Sequence, residues 1–256
     1  MDLRGSSVLV TGGSRGIGLA TAELFLSRGA DVTIGGRDPD RLRAAGERLG
    51  AAGPVATVAA DVSTVDGCRA SVAAAAEAFG GLDVLFANAG GYRAAPIADT
   101  DEALWDETID GHLKGTFFCV RAAEPLLREA SGCVVTMASD AGLQGLRGGW
   151  AAYSAAMGGI VALTKQLAVD LAPDIRVNAV APGPVGTEHL YEDLAGGSYG
   201  GVETAQDPTA AIVAGLPLRR MITPEDVAEA VVFLATNPSV TGAVLNVDAG
   251  TTAELP

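Results

Sequence analysis

The chain has 256 residues, 48% hydrophobic and 19% charged, a balance that excludes a disordered or coiled-coil protein and makes one domain, residues 1–256, the expectation. Seventeen basic against 31 acidic side chains give a net charge of −14, which repels phosphate backbones and anionic lipid, so neither nucleic acid nor membrane is an expected partner. The imbalance is uneven: residues 1–50 hold seven arginines and six acids, which leaves the N-terminal part open to a small anionic ligand.

Met1 to Ser7 carries Asp2 and is followed by only a short apolar run, so no signal peptide is read and the expected compartment is the cytoplasm. Apolar runs rich in β-branched residues then alternate with segments of helical period. Strands are expected at Ser7 to Thr11, Asp31 to Gly35, Val55 to Ala59, Val84 to Ala87, Cys133 to Ala138, Ile175 to Val180 and Val244 to Val247. Helices are expected at Ile17 to Arg28, Pro39 to Leu49, Val65 to Phe79, Asp101 to Glu129, Ala151 to Leu171 and Pro224 to Ala235. Asp38 before Pro39 and Thr223 before Pro224 read as N-caps with proline at the first helical position.

This alternation predicts an α/β fold, a Rossmann-type three-layer α/β/α sandwich around a seven-stranded, doubly wound parallel sheet. Pro182 to Thr223, with its Gly196-Gly197 and Gly200-Gly201 pairs, reads as irregular, and its part from Glu188 to Met221 as a substrate lid. Cys68, Cys119 and Cys133 are far apart in sequence and lack metal-binding spacing, so they read as reduced core thiols and no metal site is expected. The charge-free stretch Gly148 to Thr164 holds four glycines in 17 residues and is too short and polar for a membrane span.

The chemistry begins where the first strand runs into the first helix, at Thr11-Gly12-Gly13-Ser14-Arg15-Gly16-Ile17-Gly18. Glycines there allow a sharp turn and close approach of a ligand, and free amides at the helix start favour an anion. Further signposts follow in order: Asp61-Val62, Asn88-Ala89-Gly90, Ser139, Tyr153, Asn178, Pro182-Gly183 and Val247-Asp248-Ala249-Gly250. In this set and spacing the chain resembles, over nearly its whole length, the short-chain dehydrogenase/reductase family, whose cofactor turn reads TGxxxGxG. The resemblance implies that Asp61 and Val62 contact adenine, that Asn88, Ala89 and Gly90 line the cofactor cleft, and that Pro182, Gly183, Val185 and Thr187 face nicotinamide. Taken singly, Asp61 reads equally as a helix cap, Asn88 to Gly90 as a turn and Pro182-Gly183 as a loop start.

An acid at the end of the second strand would bond the adenosine ribose hydroxyls and repel a further phosphate. The sequence instead reads Ile34-Gly35-Gly36-Arg37, and Arg37, with Arg15, offers positive charge to such a phosphate. NADP(H) is therefore the expected cofactor and NAD(H) the second choice.

In the family a serine polarises the carbonyl, a tyrosine transfers the proton, a lysine four residues later binds the nicotinamide ribose, and an asparagine on an earlier helix anchors a water relay. Ser139 and Tyr153 match, whereas Met157 stands at the lysine position and His112 at the asparagine position. Residues four apart share a helix face, so Met157 lies beside Tyr153 and the usual cation is gone. Lys165 lies eight residues further along. Tyr153 is then expected near its reference pKa of about 10, a poor base but a usable acid. His112 reads either as a proton relay toward Tyr153 or as a packed helix histidine.

The expected activity is reduction of a carbonyl on a small organic substrate. Two alternatives stay open, a redox-neutral isomerase, dehydratase or cyclase on the same fold, and a non-catalytic NADP(H)-binding protein. The resemblance also implies a homo-oligomer, usually a tetramer, formed across the helices Asp101 to Glu129 and Ala151 to Leu171.

Overall fold

The computed structural model describes residues 2–197, 199–201 and 205–254. Seven strands pair in the order β3-β2-β1-β4-β5-β6-β7. They are β1 Ser7–Thr11, β2 Asp31–Gly36, β3 Val55–Ala59, β4 Val84–Ala87, β5 Cys133–Met137, β6 Arg176–Pro182 and β7 Val244–Val247, and every pairing is parallel. A parallel sheet is buried on both faces, which is why Val8 to Val10 of β1 and the whole of β4 are apolar and neither strand has an exposed residue. The side-chain period of two sorts the strands into layers. Val8, Val10, Val84 and Phe86 join one core, while Leu9, Leu85 and Val134 join the other.

The first core is covered by α1 Gly16–Ser27, α2 Pro39–Leu49 and α9 Pro224–Thr236 through Phe25, Leu42 and Val231. The second is covered by α3 Val65–Phe79, α5 Gly115–Ala130 and α6 Ala151–Asp170 through Val72, Leu127 and Leu167. This is the expected doubly wound sandwich, and among the described residues no helix is long and apolar enough to cross a membrane. Asp38 accepts from the amides of Asp40 and Arg41, and Thr223 forms a reciprocal capping box with Asp226, as their positions before proline predict.

Two segments differ from expectation. The single helix over Asp101 to Glu129 is instead α4 Glu102–Ile109, a π-helical turn at Asp110–Lys114 and then α5. The wider turn brings Gly115 so close to the Val62 carbonyl that an added Cβ would lie 2.7 Å from it. Within Pro182 to Thr223, the chain beyond β6 is not irregular throughout, because Thr187 caps α7 Glu188–Gly196 and Asp207 caps α8 Pro208–Gly215. The strands expected at Asp31 to Gly35 and Ile175 to Val180 run further, to Gly36 and Pro182, and that expected at Cys133 to Ala138 stops at Met137.

Asn178 in the middle of β6 is fully buried. Its Nδ2 donates to the Val240 carbonyl at 2.9 Å and its Oδ1 accepts from the Ala243 amide at 3.0 Å, so one side chain fastens the loop that leads into β7. Asn178→Ala would leave the Ala243 amide without its acceptor in the interior and is expected to lower unfolding free energy by about 1–3 kcal/mol in urea titration.

Candidate active site

The carboxyl ends of β1 and β4 are stitched together before any ligand arrives. Asn88, just past β4, donates its side-chain amide to the carbonyls of Thr11 (2.9 Å) and Gly12 (3.2 Å). Thr11 Oγ1 in turn accepts the backbone amides of Asn88 and Ala89, both at 3.0 Å. The returning helix fits under this clamp only as glycine, since a Cβ on Gly18 would stand 2.3 Å from the Gly12 oxygen and 2.7 Å from Asn88 Nδ2.

Helix α1 starts without a side-chain cap at Arg15 and without an acid in its first turn, unlike α2, α3 and α9. The first-turn amides of Gly16, Ile17 and Gly18 have no acceptor from a preceding turn, so the positive end of the helix faces the cleft bare. Ser14 sits against the end of β2, its Oγ 3.5 Å from where a Gly36 Cβ would lie. Arg37 follows that strand and is exposed. Its neighbours Arg41 and Arg43 pair with Asp38, Asp40 and Glu47, but among the described residues neither Arg15 nor Arg37 forms an ion pair.

Asp61 folds a turn on itself, its Oδ1 accepting the Ser63 amide at 3.0 Å, and Thr64 rather than Asp61 caps α3. Val62 packs on the second core. On the opposite rim, Gly183 follows β6 and donates its amide to the Val247 carbonyl at 3.1 Å, while Val185 bridges to Ile222. Thr187 caps α7 and puts its methyl 3.3 Å from where a Gly16 Cβ would lie, so α7 begins against the glycine turn.

Ser139 follows β5 and is buried, donating its hydroxyl to Asp140 Oδ1 at 3.0 Å and accepting the Ala141 amide at 3.2 Å. Tyr153, in the first turn of α6, faces it. Burial pushes the Tyr153 phenol up to about 12; Ser139 opposes the shift and the Asp140 carboxylate adds to it. That corrects the expected value near 10, and the main cause is desolvation.

His112 lies in the π-helical turn, buried, with its ring edge-to-face on Tyr153 at 5.4 Å between centroids. Its Nε2 is 2.6 Å from the Gly91 carbonyl oxygen. A carbonyl only accepts, so Nε2 carries the proton, and burial lowers the imidazole pKa despite that bond. The ring occupies the space beside Gly90, where an added Cβ would be 2.0 Å from His112 Cε1. Met157 shares the Tyr153 side of α6 and is fully buried among Ala138, Ala156, Ile160, Ala179 and Ala181. Lys114 is held by Asp110 at 2.9 Å and Lys165 is exposed, so neither ammonium stands in beside the phenol.

Several neighbours had no signal in local sequence. Asp140 is a buried carboxylate whose pKa is raised by desolvation, with Ser139 and Thr251 hydroxyls opposing. An acid three residues past the end of an apolar strand is its only mark. Tyr92, Trp150 and Tyr199 come from three separate loops and meet around Tyr153. Cys68 and Cys119, distant in sequence, meet where α3 packs on α5, and all three cysteines are free thiols. Glu203 of the expected lid lies outside the described residues.

Known proteins resemble this chain in sequence and fold. Residues 12–252 match a family model described as enoyl-(acyl carrier protein) reductase. The chain is 37% identical over 256 residues to 2-(S)-hydroxypropyl-CoM dehydrogenase 3 of Xanthobacter autotrophicus, covering 98% of both chains. It is 40% identical over 256 residues to cis-4-hydroxycyclohexanecarboxylate dehydrogenase of Sinomonas cyclohexanicum, covering 96% of both. Among solved structures it is similar to a short-chain dehydrogenase/reductase of the glucose/ribitol dehydrogenase type from Brucella melitensis, with TM-score 0.88, 34% identity and 98% of each chain covered.

Proposed function

We propose that this chain, which belongs to the short-chain dehydrogenase/reductase family, is an NADP(H)-dependent reductase of a carbonyl on a small organic substrate. The observation that carries the reading is an unbroken run of contacts along one edge of the sheet. It passes from the glycine turn through Asn88 to Gly90, then His112, Tyr153 and Ser139, whose hydroxyl lies 3.4 Å from the Pro182 carbonyl. A nicotinamide dinucleotide fits this edge, because the bare amides suit a pyrophosphate and the tight glycine contacts leave room for one. Gly12, Ser14, Arg15, Gly16, Ile17 and Gly18 would hold its phosphates, Asp61 and Val62 its adenine, and Asn88, Ala89 and Gly90 its middle. Pro182, Gly183, Val185 and Thr187 would face its nicotinamide. When bound, it supplies the hydride.

The unpaired guanidinium of Arg37, beside a strand end with no acid, supports the phosphorylated form of the cofactor. Calorimetry is expected to show NADPH bound more tightly than NADH. Arg37→Ala should weaken NADPH by about tenfold to a hundredfold, as loss of a charge-assisted pair would, and leave NADH unchanged. Tighter NADH binding by the native chain would reverse this assignment.

Tyr153 acts as proton donor to the substrate oxygen, Ser139 bonds that oxygen once its hydroxyl turns from Asp140, and His112, whose one proton is bonded to Gly91, would relay by taking a proton from water on Nδ1 and passing it back through water toward Tyr153. We take Met157 to replace the family's lysine and His112 its asparagine. A phenol with its pKa at about 12 stays protonated at neutral pH, which suits reduction and starves alcohol oxidation of base. The reduction rate is therefore expected to be flat from about pH 6 to 9, while oxidation climbs roughly tenfold per pH unit. Met157→Lys would place an ammonium on the same helix face, lower the phenol pKa and raise oxidation at neutral pH at least about tenfold, at some cost in thermal midpoint. His112→Ala is expected to slow turnover; an unaltered rate and pH profile would remove His112 from the chemistry.

The buried, wholly apolar setting of Met157 also favours a second reading, redox-neutral chemistry at Tyr153. Substrate conversion with no net change in nicotinamide absorbance would select it, and NADPH binding without conversion of any substrate would leave a binding protein.

The segment 188–221, with α7 and α8, is taken as the substrate lid of one domain spanning the chain. Trp105, Phe117 and Val169 are exposed on α4, α5 and α6. They are proposed to be covered in a homotetramer, and light scattering that gave a monomer mass at working concentration would exclude it.

A further inference from the structure

Beyond the reaction itself, the loops above Tyr153 define what could be reduced there. Tyr92 lies two residues past Gly90, and its ring stands 6.4 Å from that of Tyr153, 5.8 Å from Trp150, 5.9 Å from Tyr199 and 4.8 Å from His189. Trp150 is 6.0 Å from Tyr153 and 5.2 Å from Tyr199. These rings belong to the loop after β4, the start of α6, the segment after α7 and α7 itself. Nothing local in sequence brings them together.

Backbone contacts do. The Ala95 amide donates to the Gly149 carbonyl at 2.8 Å, and a Cβ on Gly149 would lie 2.5 Å from the Ala95 carbonyl. A Cβ on Gly200 would lie 2.1 Å from the Gly148 oxygen. Three loops are thus pressed main chain to main chain, and this fixes the aromatic side chains. Tyr92, Pro96, Gly148 and Gly149, together with the charged Arg93 and Asp193, line a half-open cavity of about 450 Å³ beside the cluster. Roughly 150 Å³ is enough to hold benzene, so this cavity has room for a six-membered ring with a substituent. The Tyr92 ring, the aromatic part of this wall, prefers the edge or offset face of another ring over a flexible alkyl chain, which must also lose rotamer freedom on binding.

We infer that the cavity walled by Tyr92 and bordered by Trp150 and Tyr199 is a substrate subsite for the ring of an aryl or alicyclic ketone. The inference rests on the reductase reading for its carbonyl, and on the aromatic cluster alone for its ring. The carbonyl would point to Tyr153 and Ser139, and the ring would lie toward Tyr92.

The test compares acetophenone with 2-octanone, ketones of equal carbon number, at saturating NADPH. The native chain is expected to favour acetophenone in kcat/KM by about tenfold or more. Tyr92, half-buried on a loop, can be changed without opening a core: Tyr92→Ala should cut that preference about tenfold, and Tyr92→Phe, which keeps the ring, should preserve it. Calorimetry with both ketones in the presence of NADP⁺ gives a readout independent of turnover. Selective binding of acetophenone with no reduction of either ketone would support the subsite and refute the reductase reading. Equal or better use and binding of 2-octanone, or a preference that survives Tyr92→Ala, would overturn the subsite and leave that reading standing.

Discussion

The Asn88 side chain is the fastening on which the site depends. Where the connections leaving two neighbouring strands of a parallel sheet turn to opposite faces, a crevice opens, and it holds a ligand only if its lips are fixed. Here one amide group spans both lips by donating to Thr11 and Gly12, and one hydroxyl, that of Thr11, answers with two bonds back to Asn88 and Ala89. Because these bonds use carbonyls and amides at the strand ends, they set the path of the glycine turn. They thereby set the direction in which the first amides of α1 point. The anion-seeking end of that helix is consequently built from backbone alone, and its neighbours need only avoid filling it.

From this fastening the rest of the edge follows by contact. Gly90 makes room for His112, His112 packs on Tyr153, and Tyr153 faces Ser139. The polar groups along this line are held in uncharged form by burial, with the phenol pushed up and the imidazole pushed down. Asp140 is the local exception in kind, an acid enclosed beside the serine, and burial raises its pKa as well. Met157, on the Tyr153 side of α6, brings a thioether and no charge to this part of the edge, whose electrostatic character is set by exclusion of water.

What could be read from the sequence follows the range of the forces involved. The strands were legible because burial on both faces demands uninterrupted apolar runs, and the starts of α2 and α9 because an acid or threonine before proline has a local meaning. The glycine turn was legible for a similar reason: Gly18 is required by atoms that its own neighbourhood supplies. The π-helical turn at Asp110–Lys114 was not, since it answers to packing of Gly115 on Val62 across a long separation. Helices α7 and α8 were hidden by the glycine pairs around them, although Thr187 and Asp207 are ordinary caps. His112 was placed in the correct neighbourhood of Tyr153, but its bond to Gly91 and its deep burial were beyond reach. The gathering of Tyr92, Trp150 and Tyr199 was equally so, being made by main-chain contacts between loops.

The interlock of His112 with Gly90 restricts how this protein can have changed over time. The imidazole fills the volume that any side chain at position 90 would need. A lineage carrying histidine at 112 therefore cannot acquire even a methyl at 90 without shrinking the residue opposite, and the positive φ of Gly90 strains a side chain there even then. Two positions in separate elements thus constrain each other, and their histories should be non-independent wherever the ring is present.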